Sequence, residues 1–205
     1  VHKVFEDPSI SPAIYVFVNG GELSHYNSDD LSSYGEDVFI KELIPHIDHN
    51  YRTIAGRMGR GLEGFSQGGR AATRYMFKYP HIFGTVSAGG GSYAIERLVK
   101  ESGGFEDDPR DESSDIFYVG KGNDAWSLAE LHKSSQAVTP KLMLWSGKND
   151  MNYTSIQEYH AFLKKLEIEH EFLSIEDVDH NSLVFYEKGG ANLIKFHMGA
   201  LENAN

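Results

Sequence analysis

The sequence predicts an α/β fold, a mainly parallel sheet with helices on both faces. Three observations carry that reading. Short apolar, β-branched and aromatic runs alternate with helix-patterned segments along most of the chain, and right-handed crossovers between such strands give a parallel sheet. A Gly-x-Ser-x-Gly sequence, Gly64-Phe65-Ser66-Gln67-Gly68, lies between one of these runs and one of these helices. Asp150 and His180, residue types suited to assist a serine, each follow a later strand, on the sheet edge where catalytic groups gather in such folds.

The bulk properties narrow the partners. A chain of 205 residues suits one domain, spanning 1–205, with a substantial core. Hydrophobic residues make up 40% and charged residues 24%, the ordinary globular range. The formal charge of −11 argues against nucleic acid or an anionic membrane as partner, since both reward positive charge. No apolar run is long enough to span a bilayer. The absence of cysteine removes disulfides, thiol catalysis and Cys-based zinc sites together, and leaves the compartment open.

Each element has its own local reason. Val1 to Pro12 reads as irregular, broken by Pro8 and Pro12. Ile14-Tyr15-Val16-Phe17-Val18 reads as a strand buried on both faces, ended by Asn19-Gly20-Gly21. Ser33-x-x-Glu36 is a capping-box pattern, and behind it Phe39, Ile40, Leu43, Ile44 and Ile47 recur at helical spacing to about Tyr51, with Pro45 placed to kink the helix. Arg60–Phe65 reads as a short strand and Arg70–Phe77 as a helix stopped by Pro80. Gly84–Ala88 reads as the next strand, followed by three glycines and a short helix over Tyr93–Lys100. Glu101–Ser114 is an acidic surface loop, and Asp115–Val119 a short strand or an extended connector. Ala125–Ser135 reads as a helix and Lys141–Trp145 as a strand. The next helix places Ile156, Tyr159, Leu163 and Leu166 on one face. His170–Ile175 is the last strand, and a helix from Ser182 is expected to break at Gly189-Gly190.

Strand, tight turn and helix form the context in which a Gly-x-Ser-x-Gly sequence has chemistry. The turn strains the serine backbone, and Gly64 and Gly68 lack the Cβ atoms that would clash there. A serine hydroxyl is a weak nucleophile near neutrality, so it needs a base, and the base needs a partner to fix its tautomer. Asp150 follows a buried strand after Gly147, and His180 follows the last strand. One helix and one strand fit between them. Of the 10 histidines, His2, His25 and His81 fall in irregular segments, His46, His49, His132, His160 and His197 in helices, and His170 at a strand start. Only His180 occupies the end of a strand. Asp177 and Asp179 rival Asp150, but neighbours on a short loop rarely reach the far ring nitrogen. The backbone N–H of Gln67 is the natural first oxyanion donor, and Gly20 is the candidate for the second.

Several segments resemble the esterase family of α/β-hydrolases that includes feruloyl esterases, acetylxylan esterases, esterase D and enterochelin esterases. They are Glu42-Leu43-Ile44-Pro45-His46-Ile47, Gly64-Phe65-Ser66-Gln67-Gly68-Gly69, Ala125-Trp126-Ser127-Leu128-Ala129, Gly147-Lys148-Asn149-Asp150 and Val178-Asp179-His180. By this resemblance Ser66, Asp150 and His180 take the nucleophile, acid and base positions of an α/β-hydrolase, with the closest likeness to the feruloyl-esterase branch. The resemblance also implies strands ahead of Ile14–Val18, ending in a His-Gly pair that supplies the second oxyanion donor. The expectation is therefore an N-terminally incomplete domain, with upstream residues or a second chain covering that run.

The favoured reading is a serine carboxylesterase acting on a small-molecule or carbohydrate ester, feruloyl or acetyl esters included, with no metal or organic cofactor. The same residues also fit an acyltransferase or a peptidase, and a non-catalytic binding module of this fold stays open. Tyr26, Tyr93 and Trp126 stand near strand ends, with Tyr93 and Trp126 the candidates for substrate contact.

Overall fold

The computed structural model describes residues 10, 12–19, 25–28, 34–93, 98–100, 116–118 and 122–201. Among these, the strands are β1 (Gly61–Phe65), β2 (Thr85–Gly89), β3 (Leu98–Lys100), β4 (Ile116–Tyr118), β5 (Lys141–Gly147) and β6 (Glu171–Ile175). Four of them form one parallel sheet in the order β1-β2-β5-β6, with Phe65 opposite Gly89 and Gly89 opposite Trp145. Every parallel neighbour requires a crossover, and helices supply it. β3 and β4 pair antiparallel as a separate two-stranded sheet.

The helices are α1 (Gly35–Asp37), α2 (Ile44–Asn50), α3 (Gln67–Lys78), α4 (Ala125–Ser135), α5 (Tyr153–Lys165) and α6 (Ser182–Leu201), with a π-helical stretch, Val38–Leu43, joining α1 to α2. Burial explains the layers. Leu142 and Leu144 of β5 face one side of the sheet, where they join Ala72, Tyr75 and Met76 of α3 and Ile156, Tyr159 and Leu163 of α5 in one core. Met143 and Trp145 face the other side and pack on Phe185 and Leu193 of α6. The period of two along β5 thus divides its side chains between two helical layers. No helix among the described residues is long and apolar enough to cross a membrane, and no group of metal-ligating side chains there could hold an ion.

A buried polar cluster fastens the start of the chain to α3. The Arg74 guanidinium donates to Glu36 Oε2 at 3.3 Å and to the Asn123 carbonyl at 2.6 Å, and lies 3.9 Å from the Tyr26 ring centroid. Lys78 pairs with Glu36 at 2.6 Å, and the Tyr79 hydroxyl donates to the same carboxylate. Tyr75 donates to the His25 carbonyl at 2.9 Å. The Arg74 and Glu36 side chains are 1% and 3% exposed, so each charge depends on the other for its neutralisation.

The structure corrects several expectations. Ile14–Val18 is not a strand: the run has no regular secondary structure and is exposed, Phe17 to 86%. Apolar composition supplies side chains for a buried strand but not the ladder that makes one. The run lies near β1, where partial burial and the Glu63 carboxylate push the Tyr15 phenol upward. The Glu36 carboxylate of the expected capping box is turned to the Arg74 and Lys78 charges. Ser33 lies outside the described residues. Pro45 falls in the first turn of α2, and the chain widens into the π-helical stretch just before it, which accommodates the missing N–H and the ring. Tyr93 is not helical, and Leu98–Lys100 is a strand rather than a helix end. Ile116–Tyr118 is a strand, whereas the Glu101–Ser114 loop lies outside the described residues. Gly189 and Gly190 do not interrupt α6, since Gly189 sits where a Cβ would meet Ile175 Cδ1 at 2.2 Å, and close packing on β6 outweighs poor propensity.

Two measurements test this account. Glu36→Ala strands the Arg74 charge in the core and is expected to destabilise the fold by about 3 kcal/mol in chemical denaturation. Burial, with Arg74 and Arg70 adding to it, lowers the His25 imidazole from its ordinary 6.5 to about 4. Its Nε2 is buried without a hydrogen-bond partner among the described residues. The folded value lies below the unfolded one, so His25 contributes full stability above about pH 6.5 and loses it as pH falls towards 4. Denaturation midpoints should fall across that window, and less steeply in His25→Asn, which tolerates the same left-handed backbone (φ 89°).

Candidate active site

Ser66 ends β1 and begins α3. Its backbone stands at φ 57°, ψ −119°, a conformation costing on the order of 1–3 kcal/mol for a residue with a side chain. Two contacts hold it there. The Ser66 N–H donates to the Gly89 carbonyl at 2.8 Å, and the Ser66 carbonyl accepts from the Arg70 N–H at 3.2 Å. The turn is so tight that a Cβ on Gly64 would lie 2.0 Å from the Gly68 carbonyl oxygen. Gly64 is therefore a steric requirement of the turn. Gly68 is not, since a Cβ there would meet nothing within 4 Å. This corrects the expectation that both flanking glycines avoid a clash.

Asp150 and His180 arrive from neighbouring strands. β5 ends at Gly147 and β6 at Ile175, and the two following loops run together: Lys148 N–H donates to the Ile175 carbonyl at 2.9 Å and Asn149 N–H to the Val178 carbonyl at 2.9 Å. A Cβ on Gly147 would stand 2.1 Å from that Val178 oxygen, so only glycine lets the loops approach this closely. The approach delivers His180 to Asp150. His180 Nδ1 lies 2.9 Å from Asp150 Oδ1 and 3.0 Å from Oδ2. A carboxylate only accepts, so Nδ1 carries the proton and Nε2 is left to accept from the Ser66 hydroxyl, 3.0 Å away. The Asp150 carboxyl is fully buried, while the imidazole is 22% exposed. Asp177 and Asp179, the sequence rivals, leave the ring to Asp150.

The other expected site residues fall variously. Gln67 is the first residue of α3, so its N–H belongs to the helix end that favours developing negative charge. Gly20 lies outside the described residues. Tyr93 is packed in the core, its hydroxyl 3.0 Å from Thr73 Oγ1 and its ring stacked on Tyr159. Trp126 packs on Tyr159 and Phe162 and donates its indole N–H to the Tyr93 carbonyl. Tyr26 is buried beneath Arg74. These rings are occupied with packing and internal hydrogen bonds. Two neighbours of the site were not anticipated. The Phe65 ring lies 4.7 Å from the His180 ring and stacks on Trp145. The Asn152 N–H donates to Asp150 Oδ1 at 2.7 Å. Phe65 fills a variable place in its motif, and Asn152 reads in sequence only as a helix start.

A parallel sheet between two helical layers, with a serine elbow, an acid and a histidine at its carboxyl edge, is the α/β-hydrolase fold. Residues 2–186 match the family described as "Putative esterase", and the chain belongs to that family. Over 90 residues, 42% of the chain, it is 36% identical to an esterase of Mycobacterium tuberculosis, covering 20% of that protein. Over 104 residues, 47% of the chain, it is 31% identical to an endo-1,4-beta-xylanase/feruloyl esterase of Xylanibacter ruminicola, covering 14% of it. The chain thus spans a fifth or less of the length of these relatives. The fold is also similar to that of FphF, a fluorophosphonate-binding serine hydrolase of Staphylococcus aureus, with a TM-score of 0.68 at 14% identity over 88% of this chain and 69% of that one.

Gly64→Ala should lose the elbow, seen as a large drop in melting temperature or loss of Ser66 reactivity towards a fluorophosphonate. Gly68→Ala should retain both.

Proposed function

We propose that the chain is a serine carboxylesterase that works through Ser66, His180 and Asp150. The observation that carries the proposal is the unbroken line of hydrogen bonds from the Ser66 hydroxyl through the imidazole to the buried Asp150 carboxylate. His180 Nε2 takes the hydroxyl proton as Ser66 Oγ attacks the ester carbonyl. Asp150 keeps the imidazole in the required tautomer and stabilises the imidazolium that forms. The Gln67 N–H donates to the oxyanion of the tetrahedral intermediate. Collapse expels the alcohol, which receives the proton from His180, and leaves an acyl group on Ser66. A water molecule, deprotonated by the same nitrogen, then releases the acid and restores the serine.

The substrate class follows from the relatives and the charge. Similarity to a xylanase/feruloyl esterase supports aryl or acetyl esters of carbohydrate as substrates. The net charge of −11 favours neutral esters over anionic ones. Gly20 remains our candidate for the second oxyanion donor.

The test is hydrolysis of methyl ferulate, an aryl acetate and acetylated xylan by wild type and three variants. Ser66→Ala and His180→Ala should each lose roughly 10⁶-fold in kcat, and Asp150→Asn roughly 10⁴-fold, with melting temperatures little changed. Wild-type rates in Ser66→Ala would refute the proposal.

A further inference from the structure

We propose that Asn152 is a positioning residue that ties the Asp150 turn to the backbone holding Ser66, an inference that rests on the esterase reading above. Asparagine at the start of a helix ordinarily caps it, its side-chain oxygen accepting from a free N–H of the first turn. Asn152 occupies that place on α5 and makes no such bond. Its side-chain amide instead donates to the Gly90 carbonyl at 2.9 Å. Its backbone N–H meanwhile donates to Asp150 Oδ1 at 2.7 Å, on the carboxylate oxygen that also faces His180.

Gly90 is what gives the bond its consequence. The residue before it, Gly89, accepts the Ser66 N–H at 2.8 Å, and Gly90 itself donates to the Trp145 carbonyl at 3.0 Å. The end of β2 therefore touches the nucleophile's backbone on one side and the acid's turn, through Asn152, on the other. A closed ring results. It runs from Ser66 through His180 and Asp150 by side chains, and back through Asn152, Gly90 and Gly89. The Tyr93 N–H donates to Ser155 Oγ at 2.8 Å, so the same loop is stitched to the first turn of α5 a second time. Removing the Asn152 amide opens the ring at one bond while Ser155 keeps the segments in contact. The Asp150 carboxylate then loses registry with His180, and this costs catalysis rather than folding.

Two variants separate this role from capping. Asn152→Ala removes both the tie and any capping capacity. Asn152→Ser restores a preferred cap but is too short to reach Gly90. In both, kcat for an aryl acetate should fall roughly 10-fold with KM unchanged, since small displacements of catalytic groups cost about that order or more. The imidazole ¹⁵N shifts of His180, assigned by their loss in His180→Gln, should move in both as the hydrogen bond to Asp150 changes. Full recovery of kcat in Asn152→Ser would show that the residue acts as a cap and overturn the proposal. So would unchanged kcat and unchanged ¹⁵N shifts in both variants. If wild type turned over no ester, the esterase reading would fail by itself. The ¹⁵N shifts would still decide, motion in both variants supporting the tie and constancy overturning it.

Discussion

Backbone running against backbone closer than a Cβ permits is the constraint on which the site depends. At Gly64 the strand before the serine meets the first turn of α3, and at Gly147 the end of β5 meets the loop that carries His180. Each approach is fixed by the surrounding sheet, whose parallel strands deliver their carboxyl ends to the same edge. The serine reaches its strained conformation because the Gly89 carbonyl accepts its N–H. The imidazole reaches the carboxylate because the loops after β5 and β6 are bonded to each other. These contacts hold the histidine and the serine 3.0 Å apart.

The polar chemistry is divided between two regions. Around Arg74 the charges are buried and mutually neutralised, and they fasten the first helix and residues 25–28 to α3. At the sheet edge a fully buried carboxyl faces an imidazole that is partly open to solvent. The first arrangement serves the fold. The second leaves Nε2 opposite the Ser66 hydroxyl. α3 links the two, since Ser66 stands at its head and Arg74 two turns along.

Much of this was readable in the sequence where the controlling physics is local. A glycine-flanked serine between strand and helix, and an aspartate and a histidine each just past a strand, need only period and turn chemistry to recognise. What was not readable depends on partners distant in the chain. Ile14–Val18 has the composition of a buried strand, yet strand pairing is made by neighbours in space, and the run is exposed. The ion pair of Glu36 with Arg74, 38 residues away, has no signal in the local pattern around Glu36. The glycines of α6 predict a break until Ile175 fills the space beside Gly189. Tyr93 and Trp126 stand near strand ends as expected, but only the packing shows that their polar atoms are already bonded within the protein.

The central claim is that Ser66 carries the acyl group between ester and water. Acid quenching during turnover of a slowly deacylating aryl ester, followed by proteolysis and mass spectrometry, tests it most directly. The account predicts the mass of the acyl group on the peptide containing Ser66, and none in Ser66→Ala. An acyl group on any other residue, or turnover with Ser66 unmodified, would contradict it.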